Sequence, residues 1–300
     1  MSKKILITGA SGLIGTRLTE LLLIKDYSVV HLGRTKKEGN VPSLVWDISN
    51  GTIEKNWLHQ VDVIIHLAGA GIADKRWTRD RKKEILDSRI KSTDLLLQTL
   101  KNNAHTVKSL IAASAIGYYG FDEDKIFVEE DLSGKDFLAN VTKEWEAEVD
   151  KLSSLGLRMV KLRIGIVLSE RGGALVEMAK PVKFGLGSPL GTGKQFLSWI
   201  HLDDLCEMFI RAIEDKNMNG AYNATAAWCT NEEMTKAIAR VLKKPLWLPS
   251  VPAFVLKIIL GEMAEIVLKG SKVSSEKIRQ TGFHLKFLKL EGALKEIFKS

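Results

Sequence analysis

Within the first fifteen residues, Met1 to Gly15 (MSKKILITGASGLIG), an apolar run suited to a doubly buried strand meets a glycine turn. Lys4 to Thr8 forms the run, and it ends directly on Gly9, Gly12 and Gly15, spaced G-x-x-G-x-x-G. Gly9 allows a tight turn, Gly12 lets the backbone approach an anionic group, and Gly15 lets the next helix pack close to the strand. An anion there meets the N–H groups at the start of a helix opening near Leu13, where the helix dipole favours negative charge. Glycine-rich turns are common, so the context decides. Leu13, Ile14, Leu18, Leu21, Leu22 and Leu23 continue at helical spacing, and Tyr27 to Leu32 (YSVVHL) supplies a second strand. Strand, turn, helix and strand in one unit is how a dinucleotide-binding domain begins.

The second strand ends on Gly33, Arg34, Thr35, Lys36 and Lys37. An acid at this strand end accepts the ribose 2′-hydroxyl of NAD, whereas an arginine accommodates the 2′-phosphate of NADP. No acid stands here and Arg34 does, which points to NADP(H); the other reading of Arg34 is a solvated loop cation, and Lys36 and Lys37 read as surface. Ser43 to Trp46 makes a third strand ending at Asp47, placed either to accept from an adenine amino group or to cap the next turn. Asp62 to Gly69 (DVIIHLAG) is a continuous apolar strand whose end faces the glycine loop, and Ala68 and Gly69 keep that floor low.

Thr78 to Asn102 reads as a long amphipathic helix, Val107 to Ala113 as a fifth strand with Ser114 at its end, Leu138 to Leu152 as a helix containing Trp145, and Leu157 to Leu162 as a sixth strand closed by Arg163 and Gly165. Repeated alternation of this kind implies an α/β fold, a Rossmann-type doubly wound parallel sheet. Beyond residue 165 glycines interrupt the rhythm before Gln195 to His201, a helix resumes at Leu202, and Pro245 to Pro252 sets off a basic helical tail. The expected organisation is an NADP-binding core over 1–165, the remainder of the α/β core and substrate-side elements over 166–245, and a small C-terminal helical cap over 246–300 that buries little core of its own, the C-terminal substrate or cap region being mixed as a whole.

Two cysteines, Cys206 and Cys229, are too few for a disulfide framework and lack metal-ligand spacing, so no metal site is expected. The N-terminus enters a strand without an apolar leader, and the most apolar later stretch carries Pro252 and Lys257; a soluble cytoplasmic protein with no membrane partner is expected. A net charge of +8 invites a nucleic-acid reading, yet the cations alternate with acids, as in Asp80 to Arg89, and no basic run is interleaved with aromatics. A solvated basic surface and a small-molecule partner fit better, and nothing in the sequence sets an oligomeric state.

The Thr8-to-Gly15 loop, the HLAG strand end and the strand ending at Ser114 ahead of Tyr119 and Gly120 resemble the extended short-chain dehydrogenase/reductases. Arg76 to Leu96, Ala113 to Gly120 (ASAIGYYG), Gly191 to Leu205 and Gly261 to Phe283 resemble, more narrowly, the atypical "epimerase family" branch, which has a C-terminal domain of unknown function and was once labelled cell-division-inhibitor-like. That resemblance spans essentially the whole chain. It implies an NADP(H) site formed by the glycine loop (Gly9, Ser11, Gly12, Leu13, Ile14, Gly15), Gly33 and Arg34, Leu67, Ala68 and Gly69, Glu84 and Arg89, and Val167, beside Asp47. Arg89 replaces the asparagine that extended reductases usually have four residues before the position of Thr93; the alternative is a helix-surface partner of Thr93 or Glu84.

The resemblance stops at the chemistry. The superfamily uses Tyr-x-x-x-Lys, the lysine lowering the tyrosine pKa. Here the residues four beyond Tyr27, Tyr118, Tyr119 and Tyr222 are His31, Asp122, Glu123 and Ala226, and the helix that normally carries the pair has Lys143 without a tyrosine. What remains is Ser114 for a carbonyl, Tyr118 or Tyr119 as acid or as packed aromatics, and a cluster of Gln195, Trp199 and His201 toward the substrate, His201 being equally a core or capping histidine. The leading expectation is an NADP(H)-dependent oxidoreductase or nucleotide-sugar-type epimerase acting on an unknown small substrate; the alternative is an NADPH-sensing regulator or scaffold without turnover.

Overall fold

The computed structural model describes residues 3–299; Met1, Ser2 and Ser300, which the outer bounds above include, lie outside them. Strand β1 (Lys4–Thr8) is buried on both faces, with Ile5, Leu6 and Ile7 fully covered, as a central parallel strand must be. Helix α1 (Leu13–Ile24) returns the chain to β2 (Ser28–Gly33), followed by β3 (Ser43–Asp47) and the short β4 (Thr52–Ile53). Strand β5 (Val63–His66) lies on the other side of β1, and helix α2 (Arg79–Lys101) starts on Thr78, whose hydroxyl accepts from the Arg81 N–H. Then come β6 (Ser109–Ala115), β7 (Asp122–Phe127), α3 (Phe137–Asp150) capped by Asp136, and β8 (Arg158–Ile164).

Further on stand β9 (Ile166–Leu168), α4 (Ala174–Lys183), β10 (Phe196–His201), α5 (Leu202–Glu214), β11 (Gly220–Ala224), β12 (Ala227–Thr230) and α6 (Asn231–Val241). The last elements are α7 (Ala253–Leu260), α8 (Glu265–Leu268), β13 (Ser271–Val273), α9 (Glu276–Gln280) and α10 (Leu290–Ile297). The main sheet has the order β11-β8-β6-β5-β1-β2-β3-β4, parallel throughout except for β4. The expected doubly wound α/β fold is what forms. Register aligns Thr8 with both Leu32 and His66, so the loops after β1, β2 and β5 open at one sheet edge.

Two strand ends differ from the sequence reading. The run through Gly69 leaves the ladder after His66, because the Leu67 and Ala68 N–H groups donate to the Thr8 hydroxyl at 3.1 and 3.2 Å. The sixth parallel strand continues through Arg163, whose charge is matched inside the protein. After β8 the chain leaves the main sheet for a second one, β12-β10-β9, and returns to it as β11. The tail packs into both layers: Ile278 and Phe283 join the main core, and α10 packs on α6 through Ala293, Leu294 and Ile297. Strand β13 pairs in parallel with β7, and Ser198 of β10 bonds both Ser271 and Val273. No helix among the described residues is long and apolar enough to cross a membrane.

Candidate functional site: a glycine-floored cleft

A cleft of about 670 Å³ opens beyond the carboxyl ends of β1, β2, β3 and β5. Gly9, Ser11 and Gly12 form its floor, Leu67, Ala68, Gly69 and Glu84 one wall, and Gly33, Arg34, Lys37, Trp46 and Ile48 the far end. Gly9 has φ +67°, and a Cβ there would lie 2.8 Å from the Leu67 carbonyl. A Cβ on Gly15 would stand 2.6 Å from Ala10 Cα and the Gly9 oxygen, so only glycine lets α1 sit this close. Helix α1 starts at Gly12 with no side-chain cap and no acid in its first turn, which suits an anionic ligand at its N-terminus. Lys37 is exposed, as expected, and also lines the cleft, as do Thr19 and His31. Thr19 donates to the Gly15 carbonyl (2.7 Å) and so accepts from His31 Nε2 (3.0 Å); burial, then Lys37, lowers the His31 pKa.

A buried chain sets the cleft's wall. Thr8 Oγ1 accepts from two amides and therefore donates to His66 Nδ1 (2.8 Å), while His66 Nε2 donates to Thr93 Oγ1 (3.1 Å), whose own proton goes to the Arg89 carbonyl (2.7 Å). Burial, helped by the Arg89 charge, pushes His66 down to about 4. Arg89 lies beneath this wall and does not line the cleft: Nη1 donates to the Ala70 and Ile85 carbonyls, and the guanidinium stacks on Trp145 with 5.0 Å to the ring centroid. Burial, then Arg81, pulls its pKa down to about 10. In this structure Arg89 braces Gly69 and Ala70, through which it would act on any bound group.

Beyond the ends of β6, β8 and β11 the catalytic candidates form a buried polar network. Ser114 Oγ donates to Glu146 Oε1 at 2.5 Å, and Arg163 grips the same carboxylate with two bonds of 2.8 and 2.9 Å. Arg163 also donates to the Tyr119 hydroxyl (2.9 Å) and the Glu129 carbonyl (3.1 Å), and Tyr119 donates to Asn223 Oδ1 (2.6 Å). Burial opposes ionisation of both partners, yet the pair prevails: Glu146 is held below the usual carboxylate range and Arg163 above its ordinary value. Burial pushes the Tyr119 phenol up against the pull of Arg163. Tyr118 differs, because its hydroxyl makes no hydrogen bond among the described residues and its ring centroid lies 3.6 Å from the Arg163 guanidinium. Lys143 faces solvent.

Several expected site residues are placed elsewhere. Asp47 accepts from the Ser49 and Asn50 amides and from Asn50 Nδ2, so it caps its turn, and the first of these causes of its lowered pKa is the Asn50 amide. Leu13 and Ile14 pack against the main core, and Val167 lies in β9 and does not line the cleft. Gln195, Trp199 and His201 do not line the glycine-floored cleft. Gln195 is buried and donates to the Leu190 and Val267 carbonyls; Trp199 fills the second core. His201 caps α5 by accepting from the Asp203 amide, stacks on Phe287 at 4.0 Å and has its pKa lowered by burial. The alternating pattern of β10 could not distinguish a core tryptophan from one facing a ligand.

A parallel sheet with a glycine-floored cleft at its topological edge defines a nucleotide-binding α/β protein. The family model described as "NAD dependent epimerase/dehydratase family" matches residues 5–225, and a domain of unknown function, DUF1731, matches 251–297. The chain belongs to this epimerase family. Epimerase family protein YfhF of Bacillus subtilis is 37% identical over 98% of this chain and 97% of its own length, and a chloroplastic SDR39U1 homologue of Arabidopsis thaliana is 36% identical over 98% and 86%. The crystal structure of human epimerase family protein SDR39U1 with NADPH superposes with TM-score 0.89 at 30% identity, covering 99% of both chains.

Proposed function

We propose that this chain binds NADP(H) in the glycine-floored cleft and uses it in an oxidoreductase or epimerase reaction on a small substrate held between the parallel sheet and the C-terminal elements. The observation that carries the reading is Arg34, which lines the cleft beside Gly33 at the end of β2 with Lys37 next to it. Two cations and no strand-end acid suit a 2′-phosphate and give a 2′-hydroxyl no carboxylate acceptor. The human relative was crystallised with NADPH. When bound, the dinucleotide supplies or accepts a hydride. The residues of this chain do the rest: the α1 N-terminus holds the pyrophosphate, Ser114 keeps lone pairs for a substrate hydroxyl while its own O–H is donated to the Glu146 carboxylate, and Tyr118 offers the uncommitted phenol.

Fluorescence titration with NADPH and NADH on wild type and Arg34→Ala tests the cofactor half. The variant should lose about ten- to a hundredfold in NADPH affinity with NADH affinity unchanged, the loss expected for one charge-assisted contact. Equal losses for both nucleotides, or no binding of either, refute the reading. A second reading, an NADPH sensor without turnover, draws on one observation: Ser114 and Tyr119 are both tied into a buried ion-pair network. Loss of NADPH absorbance that depends on an added carbonyl or nucleotide-sugar substrate, and that Tyr118→Phe abolishes, rejects it.

A further inference from the structure

We infer that the face built by the end of α4, the segment 243–252 and α7 rests on a bilayer containing anionic lipid. Six large apolar side chains stand in solvent there: Phe184, Leu186, Trp247, Phe254, Ile258 and Ile259, between 56 and 75% exposed. At roughly 180 Å² for a large apolar side chain, the six together expose on the order of 700 Å² of apolar surface. The segments are joined. The Trp247 indole donates to the Gly185 carbonyl at 3.0 Å, Ser188 donates to the Pro249 carbonyl, Leu190 bridges Val251, and the chain enters α7 two residues later. Helix α7 reads AFVLKIIL, and Leu256 is its one buried residue.

Charge selects the occupant. Residues 178–190 and 243–260 together hold Lys180, Lys183, Lys243, Lys244 and Lys257 and no Asp or Glu. All five lysines are exposed and none forms an ion pair among the described residues. A second copy of the chain would set like charges against one another across a two-fold axis, which disfavours self-association through this face. An acidic headgroup layer supplies the missing sign, Trp247 and the phenylalanines suit the interfacial depth, and the isoleucines reach the acyl boundary. That no helix among the described residues is long and apolar enough to cross a bilayer concerns crossing, whereas this face would lie on one. The inference does not depend on the cofactor reading.

The test is co-sedimentation of the full chain with vesicles of phosphatidylcholine alone and of two parts phosphatidylcholine to one part phosphatidylserine. The mixed vesicles should bind at least tenfold more tightly, binding should weaken with salt, and Lys243→Gln and Lys244→Gln should each reduce it roughly fivefold. The double variant Trp247→Ser with Phe254→Ser should lose binding while far-UV circular dichroism stays unchanged and the thermal midpoint falls by no more than loss of the exposed Trp247–Gly185 hydrogen bond accounts for, because both side chains lie outside the core. Brominated acyl chains should quench wild-type tryptophan emission and spare Trp247→Phe. No binding at millimolar lipid, or undiminished binding by the double variant, overturns the inference. So does a concentration-dependent dimer in sedimentation velocity that the double variant dissolves, which would assign the face to a second copy.

Discussion

Replacing Glu146 by glutamine removes one charge from a pair whose side chains are only 5% and 7% exposed. One-sided removal of a buried pair costs about 3–5 kcal/mol, because the remaining charge is left in a medium that solvates it poorly. Arg163 would retain the Tyr119 hydroxyl and the Glu129 carbonyl, so the lower end, about 3 kcal/mol, applies. Arg163→Met should cost about as much by stranding the carboxylate against only Ser114 and the more distant Lys161 (3.6 Å). The double variant should then be more stable than the sum of the two losses by about 2 kcal/mol, since neither charge is left behind. Urea unfolding followed by far-UV circular dichroism gives all four corners of the cycle. Because the folded-state pKa of Glu146 is depressed, its contribution is complete above the unfolded carboxyl value of about 4.3 and is lost as pH falls through the folded value. The Glu146→Gln deficit should thus be flat from about pH 8 to 5.5. Losses that add within about 0.5 kcal/mol would refute the pair as the organiser of this network.

Three further outcomes can be checked. His66, held down at about 4 against about 6.5 unfolded, leaves the fold at full stability above pH 6.5 and should remove on the order of 3 kcal/mol as pH falls to 4; His66→Gln should lose that slope in urea midpoints measured across the range. Gly15→Ala, whose Cβ would meet backbone at 2.6 Å, should cost about 1–3 kcal/mol, whereas Gly12→Ala, with its nearest contact at 3.4 Å, should cost under about 1 kcal/mol by the same unfolding assay. Tyr119→Phe, which strands Asn223 and one Arg163 donor, should destabilise by about 1–3 kcal/mol in thermal melts, and Tyr118→Phe should be neutral there.

What could be read from the sequence was local. An apolar run, a glycine turn and a leucine-spaced helix specify their own conformation, so β1 occupies the anticipated Lys4 to Thr8 and α1 starts at Leu13. Thr78 announces α2 by capping it, whereas α3, expected from Leu138, starts at Phe137 on its cap Asp136. Nonlocal pairings were hidden. Nothing near Asp122 marks β7 as the partner of a strand at Ser271, and nothing near Glu146 identifies Arg163 as its counter-ion. The cleft residues divide in the same way: Gly9, Gly12, Gly33, Arg34, Ala68 and Glu84 line it, whereas Asp47 serves a turn and Arg89 lies under the wall. Which face of an element a polar side chain occupies depends on what packs against that face. The tail, expected to bury little core, is held by Asp204, whose carboxylate accepts from the Lys286 and Phe287 amides.

The pairing of β7 with β13 also orders events during synthesis. The parallel sheet is complete once β11 has emerged, and the glycine cradle can form then, since all of its residues precede it. Asp122 to Phe127 and Ser198 must wait for Ser271 to Val273, so on the ribosome the nascent chain has its nucleotide cradle before the edge beside Tyr119 is sutured. A chain halted between these points would hold a finished cradle next to an open strand edge, the species most exposed to a chaperone or to a neighbouring nascent chain.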